Sequence, residues 1–87
     1  MSRLDAMRDK LAILNPVSLE IIDESHKHAG HAGARDGGGH YVLQIITPEF
    51  TGKTTMARHR MIYSALGEMM KREIHALNIQ AKTPEEV

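Results

Sequence analysis

The sequence contains no cysteine. Disulfides, thiolate nucleophiles, cysteine-built zinc sites and a self-contained cysteine-ligated iron–sulfur cluster are thereby excluded. Charge of one sign is also missing: 11 Lys and Arg balance 11 Asp and Glu. No overall field therefore draws the chain to nucleic acid or an anionic membrane, and only a local patch can do so. Aromatic residues are limited to Tyr41, Phe50 and Tyr63, too few for a base-stacking platform on one face. No apolar run approaches the ~20 residues of a membrane-spanning helix. The opening Met-Ser-Arg-Leu-Asp carries both charges and no hydrophobic signal region, so a targeting segment is not expected and a cytoplasmic protein is. The 87 residues fit one domain, residues 1–87, with a small core.

What is present is periodic. Leu4, Met7, Leu11 and Leu14 recur at helical spacing. Ser2 and Asp5 form a weak capping box ahead of them, and Asn15-Pro16 ends the helix. Residues 17–24 read as a strand, with Val17, Leu19 and Ile21 on one face. From Ser25 to Gly39 the pattern dissolves into Ser, His, Gly, Ala and Asp, a flexible loop. A second strand, 40–46, carries Tyr41, Leu43 and Ile45 inward and pairs antiparallel with the first. Thr54 or Thr55 caps a second helix whose stripe is Ala57, Met61, Ala65 and Met69, widened by Ile62, Leu66 and Met70. Gly67 divides that helix into a long and a short part. A third strand, 74–81, places Leu77, Ile79 and Ala81 on one face, and His75 shares their parity. Thr83-Pro84-Glu85-Glu86 reads as a frayed terminal turn. The expected fold is α+β, with the order α-β-β-α-α-β and a three-stranded mixed sheet. The helical crossover makes strands two and three parallel if they are neighbours. Strand three then begins at the edge that carries the loop, which brings His75 near it.

Several chemistries fail on spacing. Thr51-Gly52-Lys53-Thr54 resembles the end of a phosphate-binding loop, but the required glycine is Thr47, followed by Pro48. A tight turn into a helix cap remains. Ser25 beside His26 lacks the geometry of a nucleophile and base. Asp23 and Glu24 point to opposite faces of a strand. An enzyme is not expected. Lys53, Arg58, Arg60, Lys71 and Arg72 cluster around the second helix and offer either a phosphate-contacting patch or a solvated face interrupted by Glu68 and Glu73. Histidine is over-represented: six in all, four of them at His26, His28, His31 and His40. They either ligate a transition metal or are loop residues without a role. His59 lies one helical turn from Tyr63 and is expected to pack there.

A set of segments in order resembles the BolA family from Leu4 to Glu86: Asp23-Glu24-Ser25-His26-Lys27-His28-Ala29-Gly30-His31, Phe50-Thr51-Gly52-Lys53, residues 58–66 beginning Arg58-His59-Arg60, and residues 74–84 beginning Ile74-His75-Ala76-Leu77. The resemblance implies a domain related to the class II KH fold, although Gly67-Glu68-Met69-Met70 lacks the second glycine of a KH clamp. It further implies a partnership with a monothiol glutaredoxin in which a [2Fe–2S] cluster is shared. Glutaredoxin and glutathione would supply thiolates and this chain histidine. His75 matches the family's C-terminal ligand, and His28, with His31 as the alternative, stands in the loop that supplies the other. The isolated chain is then expected to be colourless and monomeric. Some BolA-like proteins are instead described as DNA-binding transcriptional regulators, for which Lys53, Arg58, Arg60, Lys71 and Arg72 are the available residues.

Overall fold

The computed structural model describes residues 2–24 and 39–87. Helix α1 spans Arg3–Leu11. It begins in a complete capping box, in which Ser2 Oγ accepts from the Asp5 amide at 3.1 Å and Asp5 Oδ2 accepts from the Ser2 amide at 3.4 Å. The chain then tightens into a 3₁₀ turn at Ala12–Leu14 and stops at Asn15, whose left-handed φ of 51° suits asparagine. Strand β1 is Ser18–Asp23 and β2 is Gly39–Ile46. Helix α2 is Thr55–Leu66, capped by Thr54, whose Oγ1 accepts from the Ala57 amide at 3.1 Å. Strand β3 is Ile74–Lys82. The sheet order is β1-β2-β3, with β1 antiparallel and β3 parallel to β2.

Helices cover one sheet face, and the core lies between. Leu43, Ile45, Met7, Leu11, Ile62 and Leu66 are all fully buried there. Alternation along β2 is complete from Gly39 to Ile46, each buried residue followed by a half-buried one. Two expectations from the sequence are corrected. The short third helix is a single 3₁₀ turn at Gly67–Met70, because Gly67 adopts φ 56° and breaks the hydrogen-bond ladder. The buried row of α2 is Arg58, Ile62 and Leu66, continued by Met69 in the 3₁₀ turn, with Ala57, Met61 and Ala65 only partly covered.

Arg58 occupies a core-facing position because its charge is paired and all three of its nitrogens donate, through four of its five N–H groups. Its guanidinium pairs with both Glu86 carboxylate oxygens at 2.6 and 2.9 Å. It also donates to the Lys53 and Ala81 carbonyls at 3.0 and 3.1 Å and lies 5.8 Å from the centre of the Phe50 ring. The carboxy-terminal turn, Pro84–Glu86, is therefore not frayed. It has its own capping box, with the Thr83 amide donating to Glu86 Oε1 at 2.9 Å.

Thr47 supplies the other interior polar anchor. It is fully buried. Its hydroxyl donates to the Leu14 carbonyl at 2.7 Å and lies 3.2 Å from the Asn15 carbonyl, and it accepts from the Glu49 amide at 3.1 Å. The end of the first helical segment is thus tied to the exit of β2. Thr47→Val keeps the shape and removes these bonds. It should cost about 1–3 kcal/mol, the penalty for leaving buried polar groups unsatisfied, in urea-melt free energy.

Arg58's hydrogen bonds, followed by the Thr83 amide, lower the Glu86 carboxyl pKa from 4.5 to about 2. A depressed folded-state pKa stabilises the fold above the unfolded value, and that contribution disappears as pH falls through the folded value. The melting temperature of the wild type should accordingly decline between about pH 5 and pH 2 by more than that of Glu86→Gln, which lacks this titration. Thermal melts across that range check the difference.

Candidate metal-ligating edge

Parallel pairing sets the start of β3 beside the start of β2. The Gly39 amide donates to the Glu73 carbonyl at 2.8 Å, and the Glu24 amide to the His40 carbonyl at 2.8 Å. Both flanks of segment 25–38 are therefore fastened at the edge where β3 begins, Glu24 beside His40 and Gly39 beside Glu73. That segment contains His26, His28 and His31, which lie outside the described residues.

A register shift decides where His75 points. Gly39 pairs with Ile74, but the next residue, His40, pairs with Ala76. His75 is thus the extra residue of a bulge, a feature that re-aims side chains. Ile74 takes the core position at 3% exposure, and His75 is exposed. The sequence alternation placed His75 on the face of Leu77 and Ile79. The bulge overturns that parity. What it produces is a neighbour absent from the sequence reading: the His40 and His75 rings lie with centres 5.1 Å apart, inclined at 55°. Their common signal was the parallel register itself, which sets Gly39-His40 against Ile74-His75. No three His, Cys, Asp or Glu side chains among the described residues are grouped to hold a metal ion, so the imidazoles form a pair. An open groove of ≈ 560 Å³ lies alongside, lined in part by Glu24, His40, His59 and Asn78.

The basic residues do not act together. Arg58 is turned inward and committed to Glu86, which withdraws it from any phosphate-contacting patch. Lys71 is exposed with Glu68 3.6 Å away. Lys53, Arg60 and Arg72 are exposed, with Arg60 reaching Met56 Sδ at 3.6 Å. His59 packs edge-on against Tyr63, ring centres 6.3 Å apart, as its spacing indicated. The Thr51–Thr54 segment is a turn into the α2 cap, with the Lys53 amide on the Phe50 carbonyl at 3.0 Å.

Residues 11–86 match the family described as BolA-like protein. The chain is 47% identical to SufE-like protein 1, chloroplastic/mitochondrial, of Arabidopsis thaliana over 99% of this chain, but it spans only 25% of that protein. It is 37% identical to the DNA-binding transcriptional regulator BolA of Escherichia coli, covering 94% of this chain and 76% of the relative. Among solved structures, the BolA domain of SufE1 from Arabidopsis thaliana superposes with a TM-score of 0.86 at 45% identity, over 100% of this chain and 98% of that one.

Beside the bulge, the Tyr41 side chain lies against Gly39, where a Cβ would collide with its hydroxyl and ring. Tyr41 is 4% exposed and has little room to move. Gly39→Ala should therefore destabilise the domain by about 1–3 kcal/mol, the usual cost of overpacking. Loss of protection at the Gly39 and His40 amides in hydrogen exchange would locate the damage.

Proposed function

The chain belongs to the BolA-like family, and on that premise we propose that it is a non-enzymatic adaptor. It pairs with a monothiol glutaredoxin and contributes histidine to a glutathione-supported [2Fe–2S] cluster, in iron–sulfur trafficking or iron and redox sensing. The observation that carries this reading is the placement of His75: an exposed imidazole on a bulge residue whose two neighbours, Ile74 and Ala76, are both paired to β2. A donor on a rigid strand is positioned more accurately than one on a loop. The donor set fits only part of such a cluster. Without cysteine, the soft ligands must come from the partner, and imidazole is what this chain offers. His28 is the second donor of choice, with His31 the alternative, and the segment that carries them starts and ends at Glu24 and Gly39, at the edge where β3 begins. When bound, the cluster supplies a one-electron centre whose potential is raised where neutral imidazole replaces thiolate. The chain's own part is to present the ring and to bind the partner over a wider surface. A reducing compartment such as the cytosol suits a shared, thiol-dependent complex.

DNA binding is the second reading, favoured by the name of the Escherichia coli relative. It would rest on Lys53, Arg60, Lys71 and Arg72, since Arg58 is committed elsewhere. It requires a salt-dependent mobility shift that disappears when Lys53 and Arg60 are replaced together.

Reconstitution with glutaredoxin, glutathione, iron and sulfide separates the two. The cluster reading expects a coloured heterocomplex and a colourless, monomeric isolated chain. His75→Ala should abolish or strongly weaken the visible circular dichroism of the heterocomplex, with an unchanged melting temperature because the side chain is exposed. A cluster as durable as the wild type's in that variant would overturn the assignment. His28→Ala against His31→Ala then resolves the second donor.

A further inference from the structure

We propose that the outer edge of β3 is a docking site for an extended, acidic peptide segment of a partner protein. The segment adds to the sheet as a fourth strand and packs its side chains on the flank of α2. The proposal involves no metal and goes beyond the cluster reading without depending on it.

The hydrogen-bond parity of β3 carries the argument. The Lys82 carbonyl accepts from the Thr47 amide, at the exit of β2, at 3.0 Å, whereas the Ala81 carbonyl accepts from Arg58 at 3.1 Å. Successive residues of a strand direct their main-chain groups to opposite sides. Ala76, Asn78 and Gln80 therefore face β2, while Leu77 and Ile79 turn their N–H and C=O groups outward. β3 ends the sheet, and among the described residues these outward groups have no partner. Natural edges are blunted by charge, proline, bulges or covering groups. Here both ends are guarded: the bulge at His75 closes one and Arg58 covers the Ala81 carbonyl at the other. The stretch between them, Ala76-Leu77-Asn78-Ile79-Gln80, holds neither charge nor proline. It has the length of an extended segment of roughly five residues, about 13 Å.

The surroundings choose the occupant. The groove of ≈ 560 Å³ reaches Leu77 and Ile79 and is bounded by His59 of α2. Met56 and Tyr63 share a helical stripe with His59, and they are 67% and 41% exposed. Every second side chain of a strand added beside β3 turns toward that flank. Neither α2 nor β3 contains Asp or Glu. Arg60 on α2 and Lys82 at the end of β3 are exposed and stand outside the ion pairs of the described residues. A segment bearing carboxylates therefore meets cations and no like charge. The β3 strand of a second copy would bring no carboxylate of its own.

The test uses the full chain and a fluorescent probe peptide of alternating Val and Thr with Asp at both ends. In the free chain the Leu77 and Ile79 amides should exchange with solvent faster than those of Asn78 and Gln80, and saturating probe should slow them. N-methylation of one alternate set of probe amides should weaken binding by roughly tenfold, the loss of about two main-chain bonds, and methylation of the other set should not. Tyr63→Ala and Arg60→Ala should each weaken binding by roughly fivefold or more with unchanged melting temperatures. Lys10→Ala, on α1, should have no effect. No binding at millimolar probe, or equal binding of both methylated probes, overturns the site. So does protection of Leu77 and Ile79 that rises with chain concentration alone and accompanies a dimer in sedimentation, which would give the edge to a second copy. A single-stranded oligonucleotide that protects the same amides when the probe does not would give it to nucleic acid and equally overturn the proposal. Because neither glutaredoxin nor iron is present, each of these results leaves the cluster reading standing.

Discussion

Everything at the candidate edge depends on the parallel pairing of β2 with β3. An antiparallel third strand would need only a turn and would begin at the far end of β2. A parallel one requires a crossover that returns the chain to the edge where β2 began. Helix α2 and the 3₁₀ turn after it supply that return. The crossover also buries Ile62 and Leu66 against Leu43 and Ile45, so the packing that stabilises the sheet is the same packing that brings the start of β3 home.

Within that frame the interior polar groups are few and committed. Thr47 closes the exit of β2 onto the first helical segment, and Arg58 closes the start of α2 onto the carboxy-terminal turn. A cation on an apolar row is costly unless its charge is paired and further hydrogen bonds replace the lost water. Glu86, the Lys53 and Ala81 carbonyls and the Phe50 ring together meet that condition. The side chain that composition would assign to a nucleic-acid surface is therefore part of the scaffold.

Local rules made most of the architecture legible. Ser2 with Asp5, Asn15-Pro16, Thr54 and Gly67 each marked a boundary through short-range chemistry, and the alternation of Tyr41, Leu43 and Ile45 marked the inner face of β2. What stayed hidden is non-local. No periodicity reveals that Arg58 sits on the buried row, because its partner Glu86 is remote in the chain. The bulge is hidden for the same reason. Ile74 and Leu77 both face inward only because His75 is unpaired, so a strict two-residue alternation assigns the histidine to the wrong face. The segment resemblance implied a ligand role for His75, but the neighbour that its ring meets, His40, came from the register.

The bulge and the parallel ladder have a consequence for how the chain folds. β1 and β2 pair with a partner close in sequence, whereas β3 must find β2 across the whole crossover, a contact that is entropically slow to close. During synthesis β1 and β2 emerge first and β3 last. The two rings at the sheet edge therefore meet only in the finished topology. A nascent or partly unfolded chain holding β1 and β2 alone has His40 without its neighbour, so this ring contact reports on completion of the whole domain.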